Sequence, residues 1–341
     1  MKRGQDLPHD PESRLIPVTH GGDPGFRMPG IPVGSIFPTG MTHPRYPSLD
    51  KIFSLARTIW QDRGDLREAF GQIESIGYWN WLISDGIDEY PRLGELMPLP
   101  PPELTGRVVG THDKRVFHDS GVSDAQNLFA GLQEGGFDLA SGGPLLDFGC
   151  GCGRVMRVFA RIADSVELHG ADVDSAAMDW CTANLDYARF VTLEEHPPSP
   201  YPEGFFGGIY SFSVFSHLPE PLQRQWLEEL HRITRPGAVL VLTLQGLPCF
   251  DQFVSGEAAP GGLPDTDVLL RDRPGLLEGG FLYYPYEAGR PWQDADEGNE
   301  AYGQAFVLEN YIRSHWLDLF DLVDFRESPQ NWQDYVVLHR T

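Results

Sequence analysis

The densest chemistry in the chain is a ten-residue run, Leu145-Leu146-Asp147-Phe148-Gly149-Cys150-Gly151-Cys152-Gly153-Arg154, in which one acid stands just ahead of three alternate glycines. Glycine lets a backbone turn sharply and come close to a ligand. The apolar residues before the run, and Val155, Met156, Val158, Phe159 and Ile162 after it, predict a strand, a tight loop and a helix. A helix start offers free N–H groups and the positive end of a dipole. Together these make a cofactor cradle. Further on, Val166 to Asp172 reads as a second strand that ends in an acid, about 20 residues beyond the glycines. That is the spacing at which a carboxylate reaches ribose hydroxyls, and a carboxylate accepts from two hydroxyls at once. Asp174 and Ser175 are better placed to cap the helix that follows.

The glycine spacing separates the cofactor classes. A dinucleotide site is written G-x-G-x-x-G, whereas here the third glycine comes one residue early. Asp147 would repel a pyrophosphate and suits a cationic ammonium. An oxidoreductase binding a nicotinamide dinucleotide, and a turn that binds nothing, stay open as weaker readings of these residues.

The stretch resembles motif I of the class I S-adenosylmethionine-dependent methyltransferases, roughly E/D-x-G-x-G-x-G. The resemblance runs through about residues 107 to 341. Phe205-Phe206-Gly207-Gly208-Ile209-Tyr210 through Val214-Phe215-Ser216-His217-Leu218 is similar to the family's fourth strand and its exit, F-D-x-I then V-F-x-H-L, with Gly207 where the family has Asp. Pro197 to Pro202 matches a P-P-x-P-x-P run, Arg235-Pro236-Gly237 leads into a buried fifth strand, and Gln333-Asp334 precedes the last strand, all as in relatives. The resemblance implies S-adenosylmethionine as cofactor. It implies a cofactor site built from Asp147, Gly149, Cys150, Gly151, Gly153, Asp172, Val173, Glu194, Ser211, Phe212 and Ser213. The family often has an adenine-binding Asp after the third strand; Glu194-Glu195-His196 stands there instead. A loop over Arg107, Thr111 and His112 is expected near the methionine end, followed by a helix opened by the capping-box pair Ser123 and Gln126.

Methyl transfer needs nucleophile, methyl carbon and sulfur in line, and an oxygen nucleophile is helped by a base whose pKa lies near working pH. His217, beside the expected pocket, is the candidate base; ordering its loop is the plainer role. Residues 246 to about 300 read as an irregular, glycine- and proline-rich, acceptor-binding insertion. Tyr284, Tyr286 and Tyr302 are its candidate acceptor-lining residues.

These chemistries need a frame that 341 residues supply amply. The expected fold is α/β: a Rossmann-like, seven-stranded, mostly parallel sheet with an antiparallel last strand and a helical N-terminal cap. Residues 1–47 read as an extended or partly disordered arm, 48–102 as the cap with Ser48 and Asp65 as helix caps, and 103–341 as the methyltransferase domain. Pro98 to Pro102 reads as a stiff linker at the boundary. Arg63-Gly64-Asp65-Leu66, Ala69-Phe70, Trp81-Leu82, Gly86 and Glu89-Tyr90 weakly resemble a helical segment found beside bacterial glycosyltransferases. A net charge of −23, from 26 basic and 49 acidic residues, argues against a nucleic-acid partner and against an anionic membrane surface. No apolar run has the length of a membrane span, no signal-peptide core opens the chain, no zinc spacing is found, and the four cysteines read as reduced thiols. The expectation is a cytoplasmic, bacterial-type enzyme, with a homodimer possible, that methylates a small natural-product-like acceptor at oxygen. A sugar or cell-surface glycan acceptor, and a non-catalytic cofactor-binding or assembly module, are the alternatives.

Overall fold

A computed structural model describes residues 46–139, 142–256, 263–286, 302–327 and 332–341. The expected N-terminal arm lies outside the described residues, apart from its last two positions.

Five short helices come first: α1 (Pro47–Asp62), α2 (Gly64–Phe70), α3 (Ile76–Ile83), α4 (Asp85–Glu89) and α5 (Pro91–Leu96). Apolar residues at helical spacing in α1, Leu49, Ile52, Phe53, Ala56 and Ile59, are all buried. They pack with α3, whose Tyr78 hydroxyl donates to the Ala56 carbonyl at 2.6 Å. Tyr46, not Ser48, occupies the α1 cap position, and Asp65 lies inside α2, because Pro47 and Gly64 start these helices two residues early. Arg63 ties the helices together. Its guanidinium donates to Asp65 (2.6 Å), Glu89 (2.6 Å) and the Tyr90 hydroxyl (3.3 Å), and lies 5.6 Å from the Trp81 ring. Of the residues shared with the glycosyltransferase-associated segment, Arg63, Asp65, Trp81, Glu89 and Tyr90 therefore form a helix-to-helix clamp.

The expected linker is not free-standing. The carbonyls of Met97 and Pro98 accept from the buried Arg157 guanidinium at 2.9 and 2.7 Å. Helix α6 (Pro102–Val109) begins at its last proline, so Arg107 lies on a helix rather than a loop. Helix α7 (Lys114–Glu134) is opened by Asp113, whose carboxylate accepts from the Arg115 amide at 2.8 Å. Ser123 and Gln126 thus fall inside α7: a nearer cap had already started the helix.

The sheet begins at β1 (Leu145–Phe148), every residue of which is buried. The glycine loop and a short α8 (Met156–Phe159) lead to β2 (Leu168–Asp172), α9 (Ser175–Asn184), β3 (Arg189–Thr192), β4 (Phe206–Ser211), α10 (Glu220–Ile233) and β5 (Thr234–Leu244). Helix α10 buries Leu222, Trp226, Leu227, Leu230 and Ile233, the face its periodicity picks out. Each such side chain contributes roughly 1.5–3 kcal/mol of burial.

Residues 246–256 and 263–286 correct the expectation of an irregular insertion. They form α11 (Leu247–Ser255), α12 (Thr266–Gly279) and β6 (Phe281–Pro285), and β6 pairs antiparallel with β7 (Gly303–Val307). Cys249, Phe250, Phe253, Leu269, Leu276 and Phe306 give this unit its own small core. The chain ends with α13 (Glu309–His315), β8 (Phe320–Arg326) and β9 (Asp334–Arg340).

The seven strands lie in the order β3-β2-β1-β4-β5-β9-β8, parallel except for β9, which is antiparallel to both neighbours. This is the Rossmann-like sheet with an antiparallel last strand. After β3 the chain returns to the far side of β1 as β4. The strand order reverses there, and open α/β sheets bind ligands at the carboxyl ends of the strands at that point. The glycine loop and residues 211–217 both leave the sheet there. No helix among the described residues is long and apolar enough to cross a membrane.

Candidate active site

The glycine loop turns because its backbone must. Gly149 has φ +79° and Gly151 φ +52°, a region costly for other residues. Space is equally tight: a Cβ on Gly149 would lie 2.1 Å from Val214, and one on Gly151 2.8 Å from Val108 of α6. The amides of Gly149 and Cys150 donate to the Ala171 carbonyl at 2.8 and 3.2 Å, locking the loop to the end of β2. Cys150 is buried, with its sulfur 3.9 Å from Met178 Sδ, and its thiol is pushed well up by burial. All four cysteines are free and buried.

Two acids flank the loop. Asp172, at the end of β2, accepts from the Gly151 amide at 2.7 Å through Oδ2 and from the Asp174 amide at 2.9 Å through Oδ1. Burial raises its pKa, and these amides oppose the rise. Asp174 caps α9 through the Ala177 amide at 3.1 Å, and Arg107 reaches it at 2.8 Å. Asp147, on β1, is 2 % exposed and sits beside Tyr210 of the neighbouring strand. Its Oδ2 has no hydrogen-bond partner among the described residues. Burial pushes its pKa up to about 8, the Asp172 charge adds to the rise, and Tyr210 counters it.

Past β3, the Leu193 amide donates to the Asp172 carbonyl at 2.8 Å, which holds Glu194 next to Asp172. The other two residues left open there are turned to α10. The Glu195 carbonyl accepts from Trp226 Nε1 at 3.1 Å, and His196 lies 3.4 Å from Gln225. Glu194 remains, exposed. Val173 is 54 % exposed, an apolar side chain left at the mouth of the strands. At the exit of β4, Ser211 is buried with a hydroxyl that has no partner among the described residues, and Phe212 lies 5.1 Å beneath the Arg154 guanidinium, itself paired with Asp124 of α7.

Ser213 follows with φ +60°, a sparsely populated conformation for a residue with a side chain. Its amide donates to Thr243 Oγ1 at 2.8 Å. Its hydroxyl lies 3.4 Å from His217 Nε2, 3.3 Å from Ser216 Oγ, and 3.3 Å from Gln333 Nε2. His217 Nδ1 lies 2.9 Å from the Gly303 carbonyl and 3.2 Å from the Tyr286 hydroxyl. A carbonyl only accepts, so Nδ1 carries the proton and Nε2 carries the lone pair. Burial lowers the His217 pKa and keeps the ring neutral. Tyr302 stacks on it at 4.9 Å and 25°.

The β6–β7 unit is brought here by backbone bonds. Gly303 N donates to the His217 carbonyl (2.9 Å), Ala305 N to Ser216 (2.8 Å) and Val307 N to Gln245 (2.9 Å). Tyr286 also donates to Gln304 Oε1 at 2.6 Å, and Gln304 donates to Gln245. His217, Tyr286 and Tyr302 therefore stand together; burial raises the Tyr302 pKa, and nearby Tyr286 and Asp172 add to the rise. Tyr284 stands apart from them: its hydroxyl donates to Asp272 of α12 at 3.0 Å. Its neighbour Tyr283 takes the inner side, over Gly303. The alternation of side chains along a strand sets Tyr283 and Tyr284 on opposite faces of β6.

The family model described as "Methyltransferase domain" matches residues 145–237, from β1 into β5. Cycloartenol-C-24-methyltransferase of Arabidopsis thaliana is 27% identical over 171 residues, 45% of this chain and 48% of that protein. The chain thus spans about half the length of the curated relative it matches. Among solved structures, the glycopeptide N-methyltransferase MtfA complexed with S-adenosylmethionine aligns at 13% identity with a TM-score of 0.42, over 65% of this chain and 94% of that one. An S-adenosylmethionine-dependent methyltransferase from Mesorhizobium loti aligns at 14% identity with a TM-score of 0.42, over 63% and 96%. Through residues 145–237 the chain is similar to the methyltransferase domain family.

The residues present fit that family's cofactor. S-adenosylmethionine carries an ammonium, a sulfonium and two ribose hydroxyls. The partnerless, buried oxygen of Asp147 is costly until a donor reaches it. Each Asp172 oxygen holds one amide and keeps a second lone pair for a hydroxyl.

Proposed function

We propose that this protein transfers the methyl group of S-adenosylmethionine to a hydroxyl of a small organic acceptor. The observation that carries the reading is the pair Asp147 and Asp172, buried or half-buried acids on either side of a glycine loop at the switch point of the sheet. Asp172 would hold the ribose hydroxyls, Asp147 the amino acid end, and Glu194 and Val173 the base. The loop from Gly149 to Gly153 would let the nucleoside approach the backbone, with Ser211, Phe212 and Ser213 bordering it from β4. When bound, the cofactor supplies an electrophilic methyl group on sulfur.

The acceptor side would be His217, Tyr286 and Tyr302, with Tyr283 replacing Tyr284 in that wall. Aromatic walls with few polar groups suit a small, largely apolar acceptor. The neutral His217 ring, with Nε2 unprotonated, suits a base that takes a proton from an uncharged hydroxyl. The tying of Arg63 to Asp65, Glu89 and Tyr90 gives the glycosyltransferase-like residues a structural role, which favours the small-molecule reading over a glycan one.

Titration calorimetry with S-adenosylmethionine and with NAD tests the cofactor. Binding of the first alone supports the proposal; binding of NAD alone overturns it. Incubation with methyl-labelled S-adenosylmethionine and a panel of phenols, alkyl alcohols, amines and glycosides tests the acceptor. Label in a phenol or alcohol is the expected result. Label only in amines would overturn transfer to oxygen, and binding without turnover would favour a non-catalytic module.

A further inference from the structure

Resting on the methyl-transfer reading, we propose that Ser213 relays the proton, so that the acceptor hydroxyl gives its proton to Ser213 Oγ while Ser213 gives its own to His217 Nε2.

The geometry closes the other approaches to the ring. Nδ1 is held by the Gly303 carbonyl and the Tyr286 hydroxyl, and the Tyr302 ring lies stacked beside the imidazole. The basic nitrogen, Nε2, is aimed at Ser213 Oγ. Ser213 is held for this task. Its backbone is kept at φ +60° with its amide on Thr243, and its hydroxyl oxygen receives the Gln333 side-chain amide. With Gln333 donating to the oxygen, the hydroxyl hydrogen is free to lie along the line to His217. Strained backbone of this kind persists where the surroundings over-determine it, and it concentrates at working sites.

The step balances without any further reagent. The acceptor O–H bond breaks and its electron pair stays on the acceptor oxygen, which becomes the nucleophile. One O–H bond forms and one breaks at Ser213, and an N–H bond forms at Nε2. The imidazolium keeps its Nδ1–H on the Gly303 carbonyl. The titratable groups facing the ring are Tyr286 and Tyr302 of the β6–β7 unit, with Asp172 beyond Tyr302. Burial makes the charged ring short-lived, so once transfer is complete it passes the proton back through the Ser213 hydroxyl to water.

Glycine adopts φ +60° freely, so Ser213→Gly removes the hydroxyl while relieving the backbone. With the first phenol or alcohol that turns over in the acceptor panel, this variant is expected to lose about 10²-fold in kcat. The loss falls on kcat more than on KM and shrinks as pH approaches the pKa of the acceptor. Nitrogen-15 NMR of histidine-labelled protein, with the His217 signal assigned by His217→Gln, reads the same bond without turnover. A protonated Nδ1 with an unprotonated Nε2 that shifts in Ser213→Gly supports the relay. A protonated Nε2, or wild-type kcat in Ser213→Gly, overturns it and leaves the methyl-transfer reading standing. Loss of that reading shows separately, as no S-adenosylmethionine binding by the wild type.

Discussion

Single carboxylates decide how the glycine loop behaves. Asp147 titrates near 8 in the folded chain against an ordinary value near 3.8, so the folded state binds the extra proton between those limits. Its contribution to stability therefore falls as pH rises through that window and levels off above about 8. The buried His118 is lowered to about 3 and works in the opposite direction, but only below about 6.5. Between pH 6.5 and 8 the melting temperature of the ligand-free protein should fall, and Asp147→Asn should flatten the slope. An unchanged slope in the variant would remove Asp147 as its source. At the other flank, Asp172→Ala takes away the acceptor of the Gly151 and Asp174 amides and should weaken S-adenosylmethionine binding by about 1–3 kcal/mol, roughly 5- to 150-fold in Kd by calorimetry. Equal affinity would refute the ribose role. These two residues were legible in the sequence because an acid at a strand end has a fixed place in the fold. The side on which Tyr283 and Tyr284 fall was not, because it depends on a strand register that local residues do not declare.

Among the elements, the glycine loop was the most legible and the β6–β7 unit the least. Three alternate glycines between an apolar run and a helical pattern admit few backbones. Helices α11 and α12 hide behind Pro248, Pro274, Gly275 and Gly279, which read as breakers. Pro248 sits in the first turn of α11, where its missing N–H costs nothing, and the Phe250, Phe253, Leu269 and Leu276 core carries the rest. Tertiary packing overrode local propensity there. The loop yields a paired test. Gly149→Ala suffers both positive φ and the Val214 contact, whereas Gly256→Ala, at φ +74° with nothing within 4 Å of its Cβ among the described residues, suffers only the first. Urea unfolding should show a loss of about 1–2 kcal/mol for Gly256→Ala. Gly149→Ala should lose at least about 1 kcal/mol more, as overpacking adds to the strain. Equal losses would mean that Val214 moves aside without cost.

On the scale of the whole molecule, Arg157 holds the N-terminal helices to the sheet. It is buried among apolar groups, and two of its nitrogens serve the carbonyls of Met97 and Pro98. The sequence showed a proline-rich joint here but not its anchor, because a buried arginine 59 and 60 residues away is a contact only the folded chain reveals. Replacing it by Met leaves both carbonyls without that donor. Arg157→Met should cost about 3 kcal/mol and should speed amide hydrogen exchange in α1 to α5 more than in β1, β4 and β5. Uniform acceleration would argue that the two layers open as one.

The backbone bonds from Gly303, Ala305 and Val307 to the carbonyls of His217, Ser216 and Gln245 join the β6–β7 unit to the sheet through peptide groups. Main-chain joints tolerate almost any side chain beside them. Descendants of this gene could swap the cassette from Leu247 to Val307 against the same foundation, trading one clientele for another while the nucleoside grip passed unchanged down the lineage.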